Sequence, residues 1–178
     1  MKMKLLTGIA LACLVALAPL AAQAPTKETV DGIRNFTSVS PTIACAGATE
    51  ARVIPELAKR GYKAIINLRQ ATEQGAAIDE TRQAAQAAGI KFIHLPLNPQ
   101  QPEASVVDAF LLATADPTNQ PTFINCGSAS RVSAMMIAKR MLNDGWSQDR
   151  ALDEAKVIGP PSAALQQFAL EYVAAKKK

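Results

Sequence analysis

Phe123-Ile124-Asn125-Cys126-Gly127-Ser128-Ala129-Ser130-Arg131 runs directly into Val132-Ser133-Ala134-Met135-Met136-Ile137-Ala138-Lys139-Arg140-Met141-Leu142. A short β-rich run from Pro121 to Asn125 ends in a cysteine; small residues follow, then an arginine, then a helical pattern. Strand, loop and helix in that order make an anion cradle. Small residues let successive backbone N–H groups converge, and the helix N-terminus adds its positive end. Cys126 at that point is expected to be held as a nucleophilic thiolate. The Arg131 guanidinium offers a planar, permanently charged fork for two oxygens of a phosphate-like group. The loop residues Gly127, Ser128, Ala129 and Ser130 are the expected anion-binding backbone.

Outward from this stretch the chain alternates strands and helices. Residues 25–40 carry Pro, Thr, Ser and Asn with little periodicity and read as a lead-in with one short edge strand. Thr42 to Ala46 reads as a strand. Pro55 suits the first turn of a helix that starts near Ile54 and stops before Gly61. Tyr62 to Leu68 has the continuous apolar, β-branched look of a buried parallel strand. A polar, Ala-rich segment from Glu73 to Ala88 reads as a helix closed by Gly89. Lys91 to Leu95 is the next strand. A Pro-rich loop and a helix from Glu103 to Ala115 follow, the helix burying Val106, Val107, Phe110 and Leu111. Ser147 and Ser162 are placed to cap the last two helices. Such alternation implies an α/β fold, a mostly parallel sheet with helices on both faces. Ligands in such sheets bind beyond the carboxyl ends of the strands, where Cys126, Arg69 and the loop after Leu97 all fall.

The termini and charge limit the function classes. Lys2 and Lys4 precede an uncharged apolar run, Leu5 to Leu20, and the small residues Ala21, Ala22 and Ala24. This is the layout of a signal peptide, residues 1–22, with cleavage expected after Ala22 because Pro25 disfavours cleavage after Ala24. A lipoprotein reading at Cys13 is the alternative. Residues 23–40 then form the lead-in and 41–175 a single domain in a periplasmic or secreted protein, with no membrane attachment once the signal is removed. The formal charge of +4 includes Lys2, Lys4 and Lys176-Lys177-Lys178; without these five the rest is about −1. Nothing there suggests a nucleic-acid footprint. Two cysteines, Cys45 and Cys126, survive processing. In an exported protein they admit a disulfide, which would silence Cys126, or a redox switch. His94, the single histidine, reads as a satisfied structural residue. Met135, Met136 and Met141 read as helix packing, and Trp146 as a cap on the core.

Together, Gly61-Tyr62-Lys63-Ala64-Ile65-Ile66-Asn67-Leu68-Arg69 with Glu73 following, Phe92-Ile93-His94-Leu95-Pro96-Leu97, and the Cys126 to Arg131 loop resemble the dual-specificity-type cysteine phosphatases. The similarity is greatest to the bacterial beta-lactamase-hydrolase-like, tyrosine-phosphatase-like branch, and it covers about Val30 to Gly159. The resemblance implies a cysteine-phosphatase fold, no metal, no cofactor, a phosphorylated or other anionic substrate, and a covalent phosphocysteine intermediate. By it Cys126 is the nucleophile and Arg131 the phosphate clamp. The N–H groups of Gly127 to Arg131 hold the remaining oxygens, and Arg69 is a candidate second anion contact.

Four positions depart from the family pattern. Asn125 stands where a histidine is usual, Ala129 where a glycine is, and Val132 where a hydroxyl residue is, leaving Ser130 or Ser133 to substitute. Asn98 lies near the expected aspartate general acid, leaving Glu103 or Asp108 as candidates. Loss of that acid costs about 10²–10⁴-fold in rate for poor leaving groups. Three readings stay open: a phosphatase, a sulfurtransferase carrying a Cys126 persulfide, and a non-catalytic domain that binds anions or a protein partner.

Overall fold

The computed structural model describes residues 24–178, so the expected signal peptide lies outside the described residues. The strands are β1 (Thr26–Val30), β2 (Ile33–Ser40), β3 (Ile43–Ala46), β4 (Ala64–Asn67), β5 (Lys91–His94) and β6 (Thr122–Asn125). The helices are α1 (Ile54–Lys59), α2 (Ile78–Ala87), α3 (Ala104–Ala115), α4 (Ser130–Leu142), α5 (Gln148–Ile158) and α6 (Ala163–Lys176). One six-stranded sheet has the order β1-β2-β3-β6-β4-β5. Strands β3, β6, β4 and β5 are parallel, and β1 and β2 add an antiparallel hairpin at one side.

Helices cover both faces of this sheet, as the alternation predicts. On one face Phe36, Ala44, Ala46, Ile65 and Phe123 pack with Ile54 and Leu57 of α1 and Ala85 of α2. On the other, Val39, Cys45, Ile66 and Ile124 pack with Val107 and Phe110 of α3, the methionines of α4, and residues of α5 and α6. Burial on both faces is why β4 and β6 read as unbroken apolar runs rather than alternating ones. Each fully buried Ile, Leu or Phe here contributes about 1.5–3 kcal/mol by area removed from water. Pro55 sits in the first turn of α1. Ser147 and Ser162 cap α5 and α6, accepting from Arg150 N–H at 3.4 Å and Leu165 N–H at 3.3 Å. No described helix is long and apolar enough to cross a membrane.

Three segments differ from their sequence reading. The lead-in forms two strands, not one edge strand, and Phe36 and Val39 of β2 belong to the core. Asn35 has a left-handed backbone (φ 53°), so Ile33 and Phe36, three residues apart, reach the same face, and the alternation that marks a strand is broken. Helix α2 begins at Ile78, leaving Glu73 in the preceding loop, where its carboxylate is engaged by arginines. Trp146 does not cap the apolar core; its ring lies between the guanidinium groups of Arg140 and Arg150, 4.4 and 3.6 Å from its centroid.

Candidate active site

Strand β6 ends at Asn125, and Cys126 is the next residue, its N–H reaching Ala46 O at 3.3 Å. The chain turns through Gly127 and Ser128, then through Ala129 in a left-handed conformation (φ 80°, ψ −8°), and enters α4 at Ser130. For an alanine that conformation costs about 1–2 kcal/mol. Among the described residues, none of the five backbone N–H groups from Gly127 to Arg131 donates to a protein acceptor. Their carbonyls, by contrast, are tied outward. Ala48 N–H donates to Gly127 O at 2.9 Å, and the Asn35 amide donates to Ser128 O at 3.1 Å. Ser133 Oγ lies 2.8 Å from Ser130 O and 2.6 Å from Gly159 O. A loop with carbonyls anchored and N–H groups unspent presents positive potential inward.

Arg131 is only 8% exposed at its side chain. Its two terminal nitrogens grip the Glu73 carboxylate, one at Oε1 and the other at Oε2 at 2.7 Å. Nη1 also donates to Leu68 O at 3.1 Å and Leu97 O at 3.2 Å, the loops after β4 and β5. Burial disfavours its charge, but the Glu73 carboxylate and Cys126 outweigh this and raise its pKa. Glu73 also accepts from Gln70 N–H at 2.7 Å and from Arg69 Nε at 3.4 Å. Burial pushes its carboxyl up; the Arg131 hydrogen bonds, the Gln70 N–H, the Arg131 charge and Arg69 overcome that and hold its pKa at about 2. Glu73 is therefore a fixed anion near neutrality, an anchor for Arg131 and no proton donor. Its role escapes sequence reading because 58 residues separate it from Arg131; the one available signal is the Arg69–Glu73 spacing.

The family model for the beta-lactamase hydrolase-like protein, phosphatase-like domain, matches residues 33–141, which contain the Cys126–Arg131 loop, Arg69 and Glu73. The chain belongs to that family. No curated protein matches it. A DUF442 protein from Shewanella putrefaciens CN-32 superposes with a TM-score of 0.69 at 22% identity, over 82% of this chain and 92% of that one. The core catalytic domain of the S. cerevisiae PP-IP phosphatase Siw14, in complex with citrate, gives 0.67 at 23%, over 84% and 96%. TpbA of P. aeruginosa gives 0.64 at 18%, over 84% and 88%, and a cysteine-to-serine form of TpbA is known in complex with phosphotyrosine. At these identities the likeness is one of fold.

Within this beta-lactamase-hydrolase-like domain, Cys126, Gly127, Ser128, Ala129, Ser130 and Arg131 form one loop, as their spacing predicts. Arg69 is placed differently from the expected second anion contact. Its guanidinium turns back on its own loop, donating to Gly75 O at 2.6 Å and Gln74 O at 2.7 Å besides Glu73, so it braces the segment that carries Glu73. Asp108 is not brought to the loop. It faces α6, accepting from Tyr172 Oη at 2.5 Å and Lys176 Nζ at 2.7 Å, and lines a groove with Leu142 at the far end of α4. The length of α4 makes that end about 18 Å from the cysteine loop. Lys176 and then Tyr172 hold its carboxyl below the usual range. Glu103 precedes α3, exposed, with its carboxylate accepting from Ser105 Oγ at 3.4 Å; among the described residues no hydrogen bond or ion pair joins it to the loop.

The remaining departures fall out as follows. Asn98 accepts from Gln100 N–H within its own turn and brings no acid. Ser133 directs its hydroxyl at two carbonyls, so of the two hydroxyl substitutes only Ser130 stays within the loop, 3.2 Å from Ser128 Oγ. Asn125 is buried, and its Oδ1 has no hydrogen-bond partner among the described residues. His94 Nε2 meets Arg69 O at 2.7 Å, the structural role expected of it. Cys45 and Cys126 are both free and buried, on neighbouring parallel strands with Cys45 in register with Ile124. Burial, then the Glu154 charge, pushes the Cys45 thiol up, so it stays protonated.

Proposed function

We propose that this is an exported cysteine-dependent phosphatase acting on phosphate monoesters of good leaving groups, aryl esters such as phosphotyrosine foremost. The observation that carries the reading is the loop itself: five unspent N–H groups in sequence after Cys126, closed by an arginine that Glu73 and two carbonyls fix in place. That arrangement supplies donors where equatorial phosphoryl oxygens develop charge, with little reorganisation at the moment of reaction. Cys126 Sγ attacks phosphorus, the P–O bond to the leaving group breaks, and that oxygen departs with the bonding pair. Water then attacks the phosphocysteine, the S–P bond breaks, and phosphate and thiolate are released.

The choice of leaving group follows from what lies around the loop. Glu73 is ionised, Asp108 is remote and Asn98 has no proton to give. A phenoxide, with a conjugate acid near pKa 10, leaves unassisted far more readily than an alkoxide. Aryl phosphates are thus favoured over phosphoserine-like esters. The reading of residues 1–22 as a signal predicts that the mature protein isolated from its producing cell begins at Gln23, which N-terminal sequencing checks.

Single-turnover kinetics of the reduced protein with p-nitrophenyl phosphate test the mechanism. A stoichiometric burst of nitrophenol that disappears in Cys126→Ser is expected. Absence of a burst, with sulfur transfer from thiosulfate to an acceptor in the parallel assay, would replace the phosphatase by a persulfide-carrying sulfurtransferase. Silence in both assays would leave an anion-binding domain.

A further inference from the structure

Beside the cysteine loop lies a cleft of about 450 Å³, and Arg34, Thr49, Glu50, Arg69, Ala77 and Glu80 contribute to its walls. Its connection to the loop runs through the backbone. Arg34 N–H donates to Ala48 O at 2.8 Å, and Gly47 N–H donates to Arg34 O at 2.7 Å. Ala48 in turn donates to Gly127 O, and Asn35, the residue after Arg34, donates to Ser128 O. The Arg34 main chain is therefore wired to the first half of the phosphate cradle. At Gly47 a Cβ would stand 3.2 Å from Gly127 O and from Arg34 O, so a side chain there would press these two backbones apart by a few tenths of an ångström.

The Arg34 side chain is exposed and, among the described residues, has neither a carboxylate, a carbonyl nor an aromatic ring as partner. Every other arginine has one. Arg52, Arg60, Arg82 and Arg140 pair with carboxylates, Arg69 and Arg131 share Glu73, and Arg150 stacks on Trp146. Arg69, on the same cleft, has spent its donors on its own loop. Two carboxylates also reach the walls: Glu50, neutralised by Arg52 at 2.6 Å, and Glu80, which is exposed and unpaired among the described residues. The cleft thus offers a single free guanidinium on one wall and a free carboxylate elsewhere. A dense polyanion would meet the Glu80 charge, whereas one acid group next to a phosphorylated side chain meets Arg34 alone.

Resting on the phosphatase reading above, we propose that Arg34 is a substrate-selecting residue that binds a carboxylate side chain flanking the phosphorylated residue of a peptide substrate. The peptide's scissile phosphate sits in the Cys126 loop and its flanking residues occupy the cleft. The guanidinium contributes through a charge-assisted pair that Arg34→Ala removes without touching the cradle.

The test compares a phosphotyrosine peptide with flanking aspartates and the same peptide with asparagines. Wild-type protein is expected to favour the acidic peptide in kcat/KM by roughly tenfold, the worth of one charge-assisted bidentate pair. In Arg34→Ala that preference collapses through KM with kcat unchanged, while turnover of p-nitrophenyl phosphate stays as it was. Glu80→Gln is expected to lower KM for the acidic peptide. An undiminished preference in Arg34→Ala overturns the proposal. Titration of both peptides into Cys126→Ser protein reads the same ratio as affinity, independent of turnover. A phosphatase reading that failed in kinetics would therefore leave Arg34 still tested, and equal affinities for the two peptides would overturn its role.

Discussion

A single carboxylate decides how Arg131 is presented. Glu73 grips both terminal nitrogens of Arg131 and so fixes the orientation of its guanidinium. Because Arg131 is buried and Glu73 a quarter exposed, Glu73→Gln is expected to lower unfolding free energy by about 1–3 kcal/mol, below the value for a fully buried pair. Urea titration measures this. The same anchor gives a pH signature. The folded-state pKa of about 2 lies below the ordinary 4.5, so the stability Glu73 contributes is fully present above about pH 4.5. It is lost as pH falls through that window toward 2. In Glu73→Gln the dependence of the urea midpoint on pH between 4.5 and 2 should be shallower than in wild type; an identical slope would show that Glu73 does not supply it.

At the scale of elements, the strand, loop and helix around Cys126 were legible in the sequence because everything that defines them is contiguous: a β-branched run, small residues, then helical periodicity. The same holds for the Ser147 and Ser162 caps. What escaped sequence reading depends on partners far along the chain. Glu73 looked like the first residue of α2, yet its carboxylate is drawn to Arg131, and the helix waits until Ile78. The strand β2 was hidden by Asn35, whose left-handed backbone breaks the alternation while letting its amide reach Ser128 O. Asp108 looked available in one dimension; only the packing of α3 on α6 shows it spent on Tyr172 and Lys176.

The junction after α5 is a further element whose role only packing reveals. Gly159 has φ 157°, and a Cβ there would come within 3.0 Å of Ala129 Cβ, while its carbonyl accepts from Ser133. Gly159→Ala therefore presses on the left-handed residue of the cradle. A loss of about 1–3 kcal/mol is expected from backbone conformation alone, with weaker vanadate binding alongside it. Thermal melts and vanadate titration check both, and unchanged affinity would show that the cradle does not lean on this turn.

For the molecule as a whole, the antiparallel hairpin is part of the folded domain and not a preface to it. It supplies Phe36, stacked on Phe123 at 6.1 Å, and the Asn35 amide that donates to Ser128 O of the loop. A protein truncated to start at Thr42 is expected to lose cooperative unfolding, since Phe36 and Val39 alone contribute about 1.5–3 kcal/mol each and the total stability of such domains is about 5–15 kcal/mol. Circular dichroism during a thermal melt checks this; a truncated chain that melts cooperatively at the wild-type temperature would contradict it.

The hydrogen bonds that shape the cradle join residues far apart in the chain: 93 positions from Asn35 to Ser128, 63 from Leu68 to Arg131, 34 from Leu97 to Arg131. Each requires a large loop to close before it forms, so on the time axis of refolding the cradle belongs to the slowest events. Helical circular dichroism should recover first, and vanadate binding should return only with the final kinetic phase. A cell that makes this chain would therefore hold a structured molecule without its cradle before it holds one with the cradle assembled.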